Sequence, residues 1–136
     1  MMVIKTNPSF HKEEIFELYQ SVGWSTYTDS LETLMNGLAK SFVLAEYQGQ
    51  KLIGLVRGVT DQQTILYVQD ILVNPAYQRQ GIGQGLLQGL LTHFNHIGQV
   101  TLLTDDEEKT KLFYQSLGFK TTEDSYAKCF VLDRRY

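Results

Sequence analysis

Seven consecutive residues, Gln78-Arg79-Gln80-Gly81-Ile82-Gly83-Gln84, have the make-up of an anion-binding loop. The strand-like run Ile71-Leu72-Val73 stops at Asn74-Pro75 just before them. A helical apolar spacing then begins at Ile82 and continues through Leu86, Leu87, Leu90, Leu91 and Phe94. The first N–H groups of a helix have no internal partner and carry partial positive charge, so a strand, a Gly-rich loop and a helix start in succession suit a phosphate. Glycine at 81 and 83 keeps side chains from holding a pyrophosphate off the backbone. Just upstream lies Asp70, a carboxylate inside an apolar strand, which is costly unless it has a partner or a task. It could take a proton from a substrate ammonium, directly or through water. It could equally pair with backbone amides or with Arg57 of the neighbouring strand.

A Walker loop would need Gly-Lys-Ser/Thr, whereas Gly83 is followed by Gln84-Gly85, and a dinucleotide fingerprint would need glycine where Leu86 stands. The order Q/R-x-x-G-x-G/A is met by Gln78 through Gly83. With ILVNPAY before it and a leucine-rich helix after it, this stretch resembles the GCN5-related N-acetyltransferase (GNAT) superfamily. The resemblance implies a fold of the α/β class, a central mixed, mostly antiparallel sheet flanked by helices. It also implies acetyl-CoA as co-substrate and direct acetyl transfer to a primary amine, without a metal. On that footing Gln78, Arg79, Gln80, Gly81, Ile82, Gly83 and Gln84 hold the pyrophosphate. The backbone of Ile71, Leu72 and Val73 pairs with pantetheine and polarises the thioester carbonyl.

A second segment, residues 107–119, resembles the family's N-x-x-A-x-x-[FL]-Y-x-x-x-G-F pattern at Phe113, Tyr114, Gly118 and Phe119, with Glu107 and Thr110 in place of Asn and Ala. The resemblance implies that Tyr114 lies near the coenzyme sulfur and acts as general acid. A phenol of pKa about 10 can protonate a departing thiolate whose conjugate acid lies near 8.5, and such positioned transfer is typically worth ~10²–10⁴-fold. Thr110, Phe113, Tyr114 and Leu117 also fall at helical core spacing, so Tyr114 could be plain core. The loop expected to line the acceptor pocket carries Trp24 and Tyr27. These could bind a small amine, with a cation over Trp24, or could seal the core beneath the loop. A coenzyme A-binding regulatory domain without catalysis is the competing functional class.

The elements that must position these residues follow from periodicity and punctuation. Strands are expected at 2–6, 42–47, 52–59, 64–73, 100–103, 119–122 and 126–132. In the long fourth strand, alternation places Leu66, Val68, Asp70 and Leu72 on one face and Tyr67, Gln69, Ile71 and Val73 on the other. Helices are expected after Ser9, after Asp29 with Glu32, from Ile82, and after Thr104 with Glu107. Gly89 inside the third of the long helices should cost about 1 kcal/mol relative to alanine, unless close packing requires it.

Bulk properties bound the rest. The chain has 136 residues and suits one domain over residues 1–136. Its net charge of −3, without a basic run, gives no nucleic-acid footprint. No apolar stretch approaches membrane-spanning length, and residues 1–10 lack a signal-peptide core. The single cysteine, Cys129, allows no internal disulfide; it is expected to be buried in a strand and fits a reducing, cytoplasmic setting. His11, His93 and His96 lack partners at metal-ligand spacing. Oligomeric state is not fixed by the residues, although the resemblance allows a homodimer through the C-terminal strands.

Overall fold

Stretches rich in β-branched and aromatic residues line up as one five-stranded sheet. The computed structural model describes residues 1–135 and divides them into two compact units, Met1–Leu102 and a second from Leu103 onward. In the first unit, β1 (Met2–Thr6), β2 (Phe42–Gln48), β3 (Lys51–Thr60), β4 (Ile65–Val73) and β5 (Gln99–Leu102) lie side by side in sequence order. Pairing is antiparallel except between β4 and β5, which run parallel. A parallel neighbour needs a crossover, and α4 (Ile82–His93) supplies it. The expected mixed, mostly antiparallel sheet with flanking helices is what the chain forms.

The sheet has a helical layer on each face. On one face α1 (Lys12–Ser21), α2 (Ser25–Thr28) and α3 (Leu31–Ala39) pack Ile15, Leu18, Tyr19 and Leu34 against Val43, Ala45, Leu55 and Leu72. On the other, α4 buries Ile82, Leu86, Leu87 and Leu90. Each such side chain contributes roughly 1.5–3 kcal/mol on leaving water. Gly89 has the packing reason that its place in a helix requires. A Cβ there would stand 3.2 Å from Leu44 Cδ1 of β2.

The alternation expected along β4 is interrupted. Arg57 pairs with Asp70, but Gly58 pairs with Val68, so Gln69 is an extra residue on β4. A bulge of this kind shifts the side-chain parity beyond it. Leu66 accordingly approaches Gly58 on the same side as Leu90 of α4, whereas Leu72 joins the core beneath α1 and α3. Gln69 and Asp70, expected on opposite faces, both hydrogen-bond the Tyr27 hydroxyl. The β4–β5 ladder stops at Val68–Leu102, leaving residues 70–73 with a ladder partner on the β3 side alone among the described residues.

Several helix starts also move. α1 begins after His11, whose N–H donates to Glu14 Oε2 at 2.9 Å, and not after Ser9. Asp29 closes α2, its N–H donating to the Ser25 carbonyl at 2.8 Å, so Ser30 precedes α3.

The second unit contains α5 (Glu108–Ser116), preceded by Glu107 instead of Thr104, and a 3₁₀ turn at Thr122–Asp124. The strands expected at 119–122 and 126–132 are absent among the described residues. β propensity marks a side chain that suits a pleated, half-buried surface, and a strand also needs a neighbour for its backbone. Here Tyr126, Phe130, Val131 and Leu132 are exposed, and so is Cys129, contrary to its expected burial.

Candidate active site

The turn from β4 into α4 is braced at several points. Asn74 N–H donates to the Ile53 carbonyl at 2.8 Å, and Asn74 Oδ1 accepts from Ala76 N–H at 2.9 Å. Gln78 Nε2 donates to the Val73 carbonyl at 3.0 Å. Arg79 and Gly81 have φ of 65° and 80°, the left-handed region that costs an L side chain about 1–2 kcal/mol and glycine nothing. Gly85 N–H, donating to the Gly81 carbonyl at 3.0 Å, makes the first i to i−4 bond of α4. The amides of Ile82, Gly83 and Gln84 precede it and have no carbonyl within the helix to meet.

The backbone on either side of those amides is uncrowded at its Cα positions. A Cβ built on Gly81 or Gly85 would meet no described atom within 4 Å. One on Gly83 would come to 3.7 Å from Val73 Cγ2 and 3.9 Å from Ile71 Cδ1, so the helix entry adjoins the end of β4. Gln78, Arg79, Gln80, Gly81 and Gln84 are exposed, whereas Ile82 is buried and can offer only its backbone. Ile71 and Val73 are half-buried and Leu72 is buried, in the part of β4 without a β5 neighbour. The loop and strand residues singled out in the sequence therefore meet in one place. Donors for an anion stand next to a backbone edge that an extended ligand could pair with.

Across the sheet lies a polar cluster that the sequence showed only in part. Asp70 is 2% exposed, and Arg57 Nε donates to its Oδ2 at 2.7 Å. Tyr19 Oη donates to Oδ2 at 2.9 Å and Tyr27 Oη to Oδ1 at 2.7 Å. Gln69 Nε2 completes the set, donating to Tyr27 Oη at 2.7 Å. Pairing with Arg57, one of the two readings open for Asp70, matches this hydrogen bonding. Burial, and after it the adjacent carboxylate, push the Tyr19 phenol well above its usual pKa and raise that of Tyr27. Burial works against the charge on Arg57, but Asp70 together with Tyr19 and Tyr27 offsets it, and the guanidinium is held above its ordinary value. Both phenols thus stay neutral beside a fixed ion pair.

Trp24 and Tyr27 pack against the core under α1 and α3, with Tyr19 5.2 Å from Tyr27 and 6.0 Å from Trp24 between ring centroids. The Arg57 guanidinium lies 5.8 Å from the Tyr27 ring centroid. Tyr19 lies with Ile15 and Leu18 on the buried apolar face of α1. Its signal was chemical: a carboxylate inside an apolar strand calls for donors on the facing helices.

In the second unit, Tyr114 is half-buried in an aromatic cluster, 5.1 Å from Phe113 and 5.8 Å from Phe119 between centroids. Burial raises its pKa, a hydrogen bond with the Thr104 side chain lowers it, and Asp105 adds to the rise. The phenol therefore keeps its proton through the neutral range.

Residues 7–132 match the acetyltransferase (GNAT) domain family. A GNAT-family acetyltransferase from Streptococcus pneumoniae TIGR4, SP0256, is 36% identical, with a TM-score of 0.81 over 98% of this chain and 99% of that one. The aminoglycoside N-acetyltransferase AAC(6')-Iy, solved in complex with CoA, shares the fold with a TM-score of 0.69 at 14% identity over 98% of this chain and 95% of that one. The histone acetyltransferase TAP1 of Glycine max is 28% identical over 127 residues, 83% of this chain and 53% of the relative. This chain spans 32–53% of the length of the first curated relatives it matches. Loop, sheet order and sequence agree: the chain belongs to the GNAT acetyltransferase family.

Proposed function

We propose that this chain is an acetyl-CoA-dependent N-acetyltransferase that transfers acetyl directly to the primary amine of a small molecule. The observation that carries it is the junction of loop and strand, where Gly83 adjoins Ile71 and Val73 beside the stretch of β4 that has no β5 neighbour. The amides of Ile82, Gly83 and Gln84 would meet the pyrophosphate, with Gln78, Arg79 and Gln80 around it and Gly81 giving the backbone its turn. The β4 backbone at Ile71, Leu72 and Val73 would pair with the pantetheine arm and hold the thioester carbonyl. Acetyl-CoA supplies the activated acyl group: the new C–N bond forms as the C–S bond breaks. Tyr114, kept protonated by burial, would give its proton to the departing sulfur, and the proton shed by the acylated nitrogen would return through water to the tyrosinate. For Asp70, three donors on a buried carboxylate support an anchoring role behind the acceptor wall of Trp24 and Tyr27, ahead of direct proton removal.

One relative is named a glucosamine 6-phosphate N-acetyltransferase and one structural neighbour is an aminoglycoside acetyltransferase in complex with sisomicin, while another relative is named for histones. The compact aromatic wall supports a small acceptor, and the net charge of −3 favours a cationic one. A cytoplasmic setting and a homodimer through residues 126–132 complete the proposal. No helix among the described residues is long and apolar enough to cross a membrane.

Thermal unfolding with acetyl-CoA tests the coenzyme site. A hundredfold excess over Kd should stabilise the native state by about 2.7 kcal/mol. Gly81→Glu, still folded, should lose that gain. No shift in the wild-type protein would overturn the proposal. A shift without thiol release on a broad amine panel would instead indicate a coenzyme-binding domain without catalysis.

A further inference from the structure

We propose that the side-chain carbonyl of Gln69 is the hydrogen-bond acceptor that orients the incoming primary amine, and that a one-way chain of hydrogen bonds from Asp70 through Tyr27 fixes its direction. This rests on the acetyltransferase reading and adds the residue that would meet the acceptor. The chain follows from counting protons. The Asp70 carboxylate, paired with Arg57, can only accept. The single proton of the Tyr27 hydroxyl is committed to it, at 2.7 Å. What faces the other side of Tyr27 Oη must therefore donate, so Gln69 presents its NH₂ there, at 2.7 Å. The Gln69 carbonyl oxygen is thereby turned away from Tyr27 and held. An amide left to itself could present either end.

Location makes the oriented carbonyl useful. Gln69 is the extra residue of the β4 bulge, half-buried, and starts the stretch that has no β5 neighbour. It stands two residues before Ile71, roughly 7 Å along the strand. A neutral carbonyl also suits the chemistry better than a carboxylate would. A negative charge beside the amine would favour its protonated form, which has no lone pair for attack. An amide oxygen aligns an N–H without that penalty. The acceptor class is consequently an amine with an N–H to spare, and a fully substituted ammonium should not engage.

The test uses the whole chain with selective ¹⁵N labels on glutamine side chains and glycine backbones, with CoA in place of acetyl-CoA so that nothing turns over. Shifts at Gly81 and Gly83 on adding CoA report the coenzyme site, and their absence would overturn the acetyltransferase reading itself. With CoA bound, n-propylammonium should shift the Gln69 side-chain resonances and tetramethylammonium should not. Tyr27→Phe should bring the two Gln69 amide protons towards equivalence and weaken the n-propylammonium response at least fivefold, while the glycine response to CoA persists. If Gly81 and Gly83 respond to CoA but Gln69 ignores n-propylammonium, or responds equally to both cations, the inference is wrong. An unchanged Gln69 in folded Tyr27→Phe would likewise refute the chain from Asp70.

Discussion

Replacing Asp70 with asparagine should cost far more than the loss of one hydrogen bond. The substitution keeps the shape of the side chain but leaves Arg57, 7% exposed, without its counter-ion. Breaking a buried pair from one side typically costs about 3–5 kcal/mol, because the remaining charge is buried uncompensated. The Tyr19 and Tyr27 hydroxyls also exchange a charged acceptor for a neutral one, a further loss of roughly 1 kcal/mol each. For a chain of this size 1 kcal/mol moves Tm by about 3–5 °C, so Asp70→Asn should lower it by at least ~10 °C. Calorimetry at neutral pH measures this, with Arg57→Met/Asp70→Asn as the decisive second variant. Removing both charges should restore much of the loss, since apolar replacement of a buried ion pair is often near neutral. A single variant within ~2 °C of wild type, or a double variant no more stable than the single, would refute the account of the cluster.

Four further outcomes are expected. Tyr114→Phe should retain stabilisation by acetyl-CoA yet lower the rate of thiol release by ~10²–10⁴-fold on an amine that wild type acetylates. Raising pH should destabilise the fold, as urea titration would show. The Tyr19 and Tyr27 phenols are raised by burial and by Asp70, and burial lifts Tyr47 to about 12. An unfolded phenol ionises near pH 10, so above that the unfolded chain binds fewer protons than the native one and stability falls, for Tyr47 between about pH 10 and about 12. Gly89→Ala should gain less than the ~1 kcal/mol of an open helix position, because its methyl meets Leu44, and should recover more of that gain in a Leu44→Val background. Sedimentation should show self-association that Phe130→Glu abolishes without changing Tm; a monomer at all concentrations would remove the homodimer from the proposal.

What the sequence made legible was whatever glycine, proline and spacing punctuate. Residues 2–6 form β1 as expected, and the turn at Gly49, with φ of 61°, joins β2 to β3. The helix after Gly81 begins at Ile82 as its apolar spacing required. The side chains around Asp70 were harder to place, because an inserted strand residue leaves no compositional mark. Gln69 is as polar as an outward residue should be, yet the bulge turns it to the side of Asp70. Tyr19 was hidden by its own ambiguity, an apolar ring in a helical stripe carrying a hydroxyl that matters more than the ring's place. Residues 126–132 have strand-like side chains, but pairing is a property of two segments and cannot be read from one.

A strand paired on one side only along part of its length invites company. Residues 70–73 of β4 have a ladder partner on the β3 side alone among the described residues. Exposed backbone of that kind is a template on which stray peptide can assemble, and sheet proteins usually blunt it with charge, proline or a bulge. Here the bulge at Gln69 opens the stretch and Asn74-Pro75 follows it, confining the vulnerable edge to a few residues. A bound coenzyme lying along this edge would protect the protein from aggregation during storage and expression, quite apart from any turnover.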